Sequence, residues 1–270
     1  MWSTWRRRVG VWTSRMAGAV ALAWMGPVTA GEVSVAVASN FSAPMQQIAQ
    51  AFEQQTGHRV KLSFGGTGAL YAQVRHGAPF DLLLAADTKT PAKLSQEGYA
   101  DERTQFTYAT GQLVLWSANP KLIDGLSDGL SDGLNDSDGD ILREGKFRKF
   151  AIADPMLAPY GAAAQQVLQA LGLWQAIKPK IVQGKNIGQA FQFVSSGNAQ
   201  LGLVALAQVY ADGKIESGSG WIVPHELYSP IRQDAIVLKP GQANPVAHEL
   251  VNYLKGEQVQ QIIESYGYQR

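Results

Sequence analysis

The stretch VSVAVASNFSAPM, residues 33–45, joins a short apolar run to the small and polar residues that open a helix. The run Val33–Ala38 is typical of a buried strand, and Pro44 suits the first turn of the helix that follows. Ser39 and Asn40 stand between the two elements. Because the first backbone N–H groups of a helix lack partners inside it and carry the positive end of its dipole, this position attracts anions.

The same order of strand, small residues and helix occurs at three more places in the chain. They are Val60–Phe64 before Gly65-Gly66-Thr67-Gly68, Leu82–Ala85 before Ala86-Asp87, and Phe150–Ala153 before Asp154-Pro155 and Pro159-Tyr160-Gly161. Strands that alternate with helices are typical of α/β folds, in which ligands bind at the carboxyl ends of the strands. We therefore expect several helix starts, bearing hydroxyls and an amide instead of charges, to face one cleft and bind a small oxyanion.

The rest of the pattern predicts an α/β protein with two lobes, each a mostly parallel sheet flanked by helices, and the ligand in the cleft between them. Four segments have apolar residues at i, i+3, i+4 and i+7, the spacing of a helix that buries one face. These residues are Met45, Ile48, Ala49 and Phe52; Ala164, Val167, Leu168 and Leu171; Ile187, Ala190, Phe191 and Val194; and Ala247, Leu250, Val251 and Leu254.

Residues 1–30 have the pattern of a secretory signal peptide. Arg6-Arg7-Arg8 and Arg15 precede the apolar run Met16–Val28, and Val28-Thr29-Ala30 supplies small residues for cleavage. The apolar run is too short to span a membrane. We expect this segment to be removed on export, by either the general or the twin-arginine route.

The composition of the remaining chain limits its partners. Removing residues 1–30 takes away four arginines and no acidic residue, which leaves a net charge of about −3. Without a basic field, neither nucleic acid nor an anionic membrane is an expected partner. The chain has no cysteine, which excludes disulfides, thiolate metal sites and a lipid anchor on an N-terminal cysteine. These features predict a freely soluble protein in a Gram-negative periplasm.

Residues 124–140 interrupt the alternation with an acidic, glycine-rich repeat of Gly-Leu-Ser-Asp. Asp136–Asp140 is similar to part of a calcium-binding loop, but in that register Leu134 and Gly145 occupy positions that need oxygen ligands. We therefore expect a solvated, mobile insertion in the second lobe that takes no part in binding.

The sequence shows no pattern of catalytic residues. The four histidines have no metal-ligand spacing, and the chain lacks H-E-x-x-H, Gly-x-Ser-x-Gly and P-loop motifs. We expect a binding protein with no catalytic residues and no cofactor. An exported enzyme on a similar scaffold stays an alternative, which a histidine or carboxylate beside Ser39 or Thr67 would favour.

Six residues at strand ends or helix starts are the candidate ligands. They are Ser39, Asn40, Thr67, Ala86, Tyr160 and Ile187. Ser39 and Asn40 also fit ordinary helix capping, and Thr67 fits a turn. Ala86 and Ile187 offer backbone N–H groups, whereas the Tyr160 phenol either packs or donates a hydrogen bond into the cleft. Their shared position at strand ends and helix starts favours a binding site.

Five blocks of the sequence resemble the periplasmic molybdate-binding proteins of ABC importers. They are Val33–Met45, Phe64–Leu70, Gly77–Asp87, Ala153–Gly161 and Tyr228–Ala235. The likeness spans nearly all of residues 31–270. It implies a two-lobed type II periplasmic binding fold that closes on tetrahedral molybdate or tungstate. In that fold the first lobe would comprise residues 31–110 and 225–270, and the second lobe residues 111–224.

The resemblance also implies which groups of the first lobe touch the anion. Ser39 and Asn40 correspond to ligands in the first loop, and Thr67 stands where the family usually has a serine ligand. Ala86 corresponds to a backbone N–H donor. These groups would contact the molybdate oxygens, and no side chain is expected to bind the metal directly.

In the second lobe, Tyr160 corresponds to the tyrosine ligand of one branch of the family. The other branch takes its tyrosine from a later strand, where this chain has Ala205. Ile187 corresponds to a second backbone donor. The resemblance further implies a monomer that delivers its ligand to the inner-membrane permease of the importer.

The neutral donors predict which oxyanions fit. Molybdate, tungstate and sulfate are fully deprotonated near neutral pH and only accept hydrogen bonds. Phosphate keeps a proton part of the time, since its second pKa is about 6, and that proton needs an acceptor. A receptor for sulfate or another small oxyanion on the same fold stays an alternative, because excluding sulfate depends on the size of the cavity.

Overall fold

The computed structural model describes Trp2 and residues 30–123 and 140–270. Cleavage of a signal peptide at residues 1–30 stays a prediction, because nearly all of that segment lies outside the described residues. The predicted insertion at 124–140, with its calcium-like loop, also lies outside them, apart from Asp140, which begins a short helix.

The strands are numbered in chain order. They are β1 (Glu32–Ala38), β2 (Arg59–Gly65), β3 (Leu82–Leu84), β4 (Phe106–Gly111), β5 (Leu113–Ser117), β6 (Phe150–Ala153), β7 (Ile181–Gly184), β8 (Leu201–Ala205), β9 (Tyr210–Ala211), β10 (Lys214–Ile215), β11 (Ser219–Ile222) and β12 (Ile231–Val237).

The α-helices are numbered in the same way. They are α1 (Ser42–Thr56), α2 (Thr67–Arg75), α3 (Lys89–Gln96), α4 (Asp140–Glu144), α5 (Pro159–Ala170), α6 (Trp174–Ile177), α7 (Ile187–Ser195), α8 (Pro245–Leu254) and α9 (Glu257–Ser265). Short 3₁₀ helices lie at Ser39–Phe41, Glu102–Thr104, Lys178–Lys180, Leu206–Gln208, His225–Leu227 and Lys239–Ala243. In the described ranges, no helix is both long and apolar enough to cross a membrane.

Two five-stranded sheets form the centres of two lobes, and β9 and β10 make a small hairpin. The sheet of lobe 1 has the order β2-β1-β3-β12-β4, and that of lobe 2 has the order β11-β5-β8-β6-β7. Only β12 in the first sheet and β5 in the second run against the other strands of their sheet. The predicted α/β architecture with mostly parallel sheets is therefore confirmed.

The chain crosses between the two sheets twice. It leaves lobe 1 after Gly111, and Gln112 alone separates β4 from Leu113 at the start of β5. It returns between Ile222, which ends β11, and Ile231, which begins β12. The predicted lobe limits stay a prediction, which these two crossings support.

The helices bury the faces that their apolar spacing predicts. In α1, Met45, Ile48 and Phe52 are completely buried in the core of lobe 1. Fully burying one such side chain stabilises the fold by about 1.5–3 kcal/mol. Phe191 of α7 is only half-buried, and its ring packs on the buried Trp116 of β5, with 5.2 Å between the ring centroids.

The strand register of lobe 1 brings three loops together. Ala38 of β1 pairs with Gly65 of β2, and Val37 of β1 pairs with Leu84 of β3. The carboxyl ends of these parallel strands therefore meet at one edge of the sheet. The segments that follow them at this edge are Ser39-Asn40, Gly66-Thr67 and Ala85-Ala86.

Lobe 2 repeats the arrangement with two strands. Ala153 of β6 pairs with Gly184 of β7, so the carboxyl ends of these strands are also side by side. The loop after β6 leads to Pro159, the first residue of α5, and the loop after β7 leads to Ile187, the first residue of α7. The two sheets thus supply helix starts that can face one another across the cleft.

Candidate ligand-binding site between the lobes

A small cavity of about 10 Å³ lies where the strand ends of the two lobes meet. All six candidate ligands line it, and the described residues of the lining are Ala38, Ser39, Asn40, Gly65, Gly66, Thr67, Ala86, Ala158, Pro159, Tyr160, Asn186 and Ile187. The six residues are far apart in the sequence, yet they surround one point. Their role as ligands stays a prediction, but the expectation that they converge is met.

Ser39 connects the two lobes. It is the first residue of the 3₁₀ helix that runs into α1, and neither helix start has a side-chain cap. The Ser39 Oγ accepts a hydrogen bond from the backbone N–H of Gly188 in α7, with 3.3 Å between the two atoms. The capping explanation therefore does not hold for Ser39, since its hydroxyl faces the other lobe.

The side-chain amide of Asn40 is hydrogen-bonded inside the protein and does not point at a ligand. The Asn40 Nδ2 donates to Gln233 Oε1 at 2.7 Å and to the Tyr268 hydroxyl at 3.0 Å, so both amide hydrogens are directed at buried protein groups. The expected amide donation to a ligand therefore needs correction. The backbone N–H of Asn40 is the donor that remains, because the first turn of a helix lacks internal partners.

Thr67 and Ala86 act as a pair. Thr67 begins α2 and is buried, and its Oγ1 accepts a hydrogen bond from the Ala86 backbone N–H at 3.0 Å. Without a ligand the Ala86 N–H is therefore held by the hydroxyl, and its role as a direct donor to the anion stays a prediction. Since a hydroxyl that accepts at its oxygen keeps its own hydrogen, Thr67 can still donate into the cavity.

Tyr160 is the second residue of α5 and is almost completely buried. Its hydroxyl oxygen accepts a hydrogen bond from Gln233 Nε2 at 3.2 Å. Burial raises the pKa of Tyr160 well above its usual value of 10.0, and the neighbouring Tyr268 and Tyr108 raise it further. Tyr160 therefore keeps its proton and can serve only as a neutral donor. The alternative that the Tyr160 phenol only packs is incomplete, because its hydroxyl also takes part in a hydrogen bond.

The close approach of Tyr160 to the lobe crossing needs a glycine at position 111. A Cβ atom at Gly111 would lie 2.0 Å from the Tyr160 hydroxyl oxygen and 2.7 Å from Gln233 Nε2. No side chain fits at that distance, so the backbone of the crossing forms the wall behind the phenol.

Ile187 is the first residue of α7, and Asn186 caps that helix by accepting the Gln189 N–H at Oδ1, 2.9 Å away. The next N–H, from Gly188, is held by Ser39. The cap does not hold the Ile187 N–H, which is the first of the helix and lies in a residue that lines the cavity. Asn186 was missed as a site residue, although an asparagine before a helical pattern is a recognisable capping signal.

Three buried residues behind the cavity were also missed. Gln233 in β12, Tyr108 in β4 and Tyr268 near the end of the chain are hydrogen-bonded to one another or to Asn40. Gln233 is completely buried and lies where the β12–β4 register shifts. A polar pair, Gln233 and Asp234, directly before the apolar run Ala235–Val237 of the same strand was the signal that could have found it.

The described residues that line the cavity are all uncharged. The alternative of an enzyme needed a histidine or a carboxylate beside the hydroxyl of Ser39 or Thr67. Among the described residues, the atoms that hydrogen-bond to Ser39 Oγ and Thr67 Oγ1 are backbone nitrogens. The described ranges also contain no cluster of three or more histidine or acidic residues that could hold a metal ion. The chemistry on offer is therefore hydrogen-bond donation from neutral groups.

The nearest carboxylate along the chain is Asp87, next to Ala86. It accepts hydrogen bonds from the Thr90 backbone N–H at 2.7 Å and the Thr90 hydroxyl at 3.1 Å. Burial raises the pKa of Asp87 above its usual value of 3.8, although the bonds from Thr90 oppose the shift. Asp87 lines a larger cavity that adjoins the small one and shares Ala86, Ala158 and Pro159 with it, but it does not line the small cavity.

Glycines allow the lobes to close on the small cavity. A Cβ at Gly66 would lie 3.0 Å from the Asn186 Cβ, and one at Gly68 would lie 3.1 Å from the carbonyl oxygen of Leu157. Both distances are shorter than ordinary van der Waals contact. The structure therefore has the cleft closed, with the backbones of the two lobes against each other.

Comparison with known proteins agrees with this architecture. The chain matches the model of a family described as bacterial extracellular solute-binding proteins over residues 33–269. It is 53% identical to the molybdate-binding protein ModA of Azotobacter vinelandii, over 88% of this chain and 90% of that one. It is 46% identical to ModA of Rhodobacter capsulatus, over 93% and 95% of the two chains.

A solved structure, the periplasmic molybdate-binding protein of Azotobacter vinelandii, superimposes on this chain with a TM-score of 0.80 and 39% sequence identity. The superposition covers 88% of this chain and 99% of that protein. The predicted two-lobed periplasmic binding fold is confirmed by this likeness.

Proposed function

Because this chain belongs to the bacterial extracellular solute-binding protein family, we propose that it captures molybdate, and also tungstate, and delivers the anion to an ABC importer. The observation that carries the proposal is the convergence of Ser39, Thr67 and Ala86 from one lobe with Tyr160 and Ile187 from the other around one uncharged cavity. The names of the relatives in Azotobacter and Rhodobacter support the choice of ligand.

The donor set suits an anion that only accepts hydrogen bonds. An oxyanion that leaves water must receive hydrogen bonds inside the cavity, because burying a charge without partners is costly. Hydroxyl groups of Ser39, Thr67 and Tyr160 and the Ile187 N–H are donors of this kind. Hydrogen bonds to a charged acceptor are stronger than those between neutral groups, so a few such donors suffice.

Capture requires the lobes to separate and close again. A cavity of about 10 Å³ has room for roughly one water molecule, whereas molybdate has four oxygens around the metal. We therefore expect the anion to widen the cleft slightly and to replace the contacts that Gly188 makes with Ser39 and that Ala86 makes with Thr67. An anion held by both lobes then stabilises the closed form, which the permease would recognise.

The protein is proposed to act in the periplasm as a monomer, after removal of a signal peptide at residues 1–30. Its proposed partners are the anion and the inner-membrane permease, with no nucleic acid and no resident cofactor. The proposed activity is capture and delivery of the ligand, without catalysis.

Calorimetric titration of the exported chain, residues 31–270, tests the proposal. We expect tight binding of molybdate and tungstate, weak binding of sulfate and none of phosphate, with a rise in melting temperature only for the anions that bind. Sulfate binding as tight as that of molybdate would favour the alternative of a general oxyanion receptor. A melting temperature that saturating molybdate leaves unchanged would overturn the proposed function.

A further inference from the structure

A cavity of about 600 Å³ adjoins the small one and opens to solvent on one flank of the cleft. We call it the Lys185 cavity, because Lys185 is the one charged residue among the described residues that line it. It shares Ser39, Asn40, Gly65 and Asn186 with the small cavity. The Lys185 cavity therefore leads directly from solvent to the proposed anion site.

Lys185 lies in the loop between β7 and α7, where the two lobes touch. Its backbone N–H donates to Gln189 Oε1 at 2.6 Å, which ties the loop to the first turn of α7. A Cβ atom at Gly66 of lobe 1 would lie 3.4 Å from the Lys185 carbonyl oxygen. The Lys185 side chain is exposed, and none of the ion pairs formed by the described residues includes it. Its ammonium group is therefore a positive charge at the entrance of the cavity that no carboxylate of the described residues neutralises.

The charge of the whole chain opposes the approach of a dianion, since residues 31–270 carry a net charge of about −3. Exposed charges act on a ligand over about 10 Å at 0.1 M ionic strength and over about 30 Å at 0.01 M. A positive charge at the entrance of a cleft raises the local concentration of an anion and its association rate. The single cation of the Lys185 cavity therefore acts against the net charge of the protein where the ligand arrives.

The cavity on the other flank is a poorer entrance for an anion. The described residues that line it include the carboxylate of Asp87 together with two cations, Lys89 and Arg232. The residues that it shares with the small cavity are Ala86, Ala158 and Pro159. None of these three has a polar side chain, so an anion on that path loses water without gaining a side-chain donor.

The Lys185 cavity offers such a donor where it joins the small cavity. The Ser39 hydroxyl accepts the Gly188 N–H at its oxygen and keeps its own hydrogen. Ser39 lines both cavities, so its hydroxyl can donate to the anion before and after entry.

We propose that molybdate enters through the Lys185 cavity and that the Lys185 ammonium group attracts it there without touching the bound anion. The inference rests on the proposed function and adds the route by which that ligand reaches its site. Lys185 is not among the described residues that line the small cavity, so its charge acts mainly on the arriving anion. Charges at the rim of a binding site change chiefly the association rate and its dependence on salt.

Stopped-flow fluorescence of residues 31–270 mixed with molybdate tests the proposal, because it separates the association and dissociation rate constants. Trp116, Trp174 and Trp221 supply the signal. At an ionic strength of about 0.01 M, we expect Lys185→Gln to lower the association rate constant about threefold, the order that Coulomb's law gives for a unit charge and a dianion about 10 Å apart in water. The dissociation rate constant should stay unchanged.

Two further measurements show that the effect is electrostatic. Lys185→Glu changes the charge by two units instead of one, so the factor should be squared, to about tenfold. In sodium chloride at about 1 M, where the screening length is about 3 Å, both variants should associate as fast as the unchanged protein. A deficit that is the same at low and high salt would overturn the proposal.

Lys149→Gln is the matched control for net charge. Lys149 is also exposed and also lies in lobe 2, but it directly precedes β6, whereas Lys185 directly follows β7. Since β6 and β7 are parallel and paired, the two lysines lie at opposite edges of the sheet. We expect Lys149→Gln to lower the association rate constant less than about 1.5-fold at low ionic strength. A loss as large as that of Lys185→Gln would assign the effect to net charge and overturn the proposal.

Lys89→Gln tests the other flank. Lys89 is exposed, begins α3 and lines the cavity that contains Asp87. We expect this variant also to lower the association rate constant less than about 1.5-fold at low ionic strength. A loss equal to or larger than that of Lys185→Gln would assign the entrance to the other side and overturn the proposal.

The unchanged protein separates failure of this proposal from failure of the proposed function. If that protein does not bind molybdate, the proposed function falls and the entry route falls with it. If it binds molybdate and Lys185→Gln leaves the association rate constant unchanged at low ionic strength, only the entry route falls. A faster dissociation with unchanged association would make Lys185 a ligand of the bound anion and would also overturn the proposal.

Discussion

The Ser39 hydroxyl oxygen lies 3.3 Å from the backbone nitrogen of Gly188 and accepts its hydrogen across the cleft. Ser39 begins the 3₁₀ helix that follows β1 in lobe 1, and Gly188 lies in the first turn of α7 in lobe 2. The space beside Gly188 is tight, because a Cβ there would lie 3.3 Å from the Ser39 Cβ and 3.2 Å from Asn186 Oδ1. The pair is therefore one of the points at which the two closed lobes touch.

Gly188→Val should hold the lobes apart. We expect it to weaken molybdate binding by at least about tenfold. The valine side chain opposes closure of the lobes, so part of the binding free energy of the anion is used to close them. The stability of the ligand-free protein should change little, since replacing glycine in a helix offsets the cost of valine. Titration calorimetry and a melting curve without ligand measure the two effects. Ser195→Val, on the exposed end of the same helix, should leave affinity unchanged, and equal losses in both variants would contradict the prediction.

Tyr160→Phe should remove one donor from the cavity. We expect molybdate affinity to fall by about 1–2 kcal/mol, the effect of one hydrogen bond to a charged group. Calorimetry measures the loss, and far-ultraviolet circular dichroism checks that the fold is intact. Tyr228→Phe is the control, because the Tyr228 hydroxyl accepts from the Leu113 backbone N–H at 3.2 Å and does not line the cavity. Unchanged affinity in Tyr160→Phe would remove this residue from the site.

Asp87→Asn should stabilise the protein more at neutral than at acid pH. Burial raises the pKa of Asp87, so the folded state holds this proton more tightly than the unfolded chain does. The group therefore contributes stability at pH values below its usual pKa of 3.8, and this contribution is lost as the pH rises through the folded pKa. Urea unfolding of both proteins near pH 7 and near pH 3.5 should show the larger gain for the variant near pH 7.

Asp101→Asn should behave in the opposite way. The Arg103 side chain beside Asp101 lowers the pKa of that carboxyl below its usual value of 3.8, so the ionised form stabilises the folded state. The variant should lose stability near neutral pH, and that loss should shrink as the pH falls through the lowered pKa. If the stability of both variants relative to the unchanged protein changed in the same direction between acid and neutral pH, the prediction for one of the two carboxyl groups would be wrong.

Deleting residues 127–138 should leave molybdate affinity within about twofold of the unchanged protein, a difference of roughly 0.4 kcal/mol. The described residues that line the small cavity all come from other parts of the chain. Titration calorimetry is the measurement, and a loss of more than about tenfold would show that the acidic repeat takes part in binding.

Much of the fold was predictable because its signals are local. Val33–Ala38 and Phe150–Ala153 are short apolar runs before small residues, and each became a strand followed by a helix start. The reversed directions of β5 and β12 were not predicted. They depend on which strands lie beside each other after the chain has crossed between lobes, and an apolar run has the same composition in either direction.

The local sequence by itself determined which residues come to strand ends and helix starts. That Ser39, Thr67 and Tyr160 surround one cavity was decided by the order of the strands and the packing of the two lobes. Only the tertiary structure decided what each group does there. Asn40 donates to Gln233, 193 positions away, and the Ala86 N–H is held by Thr67. Periodicity and capping act over a few residues, whereas the partner of a buried polar group is set by whichever strand or loop packs against it once the chain has folded.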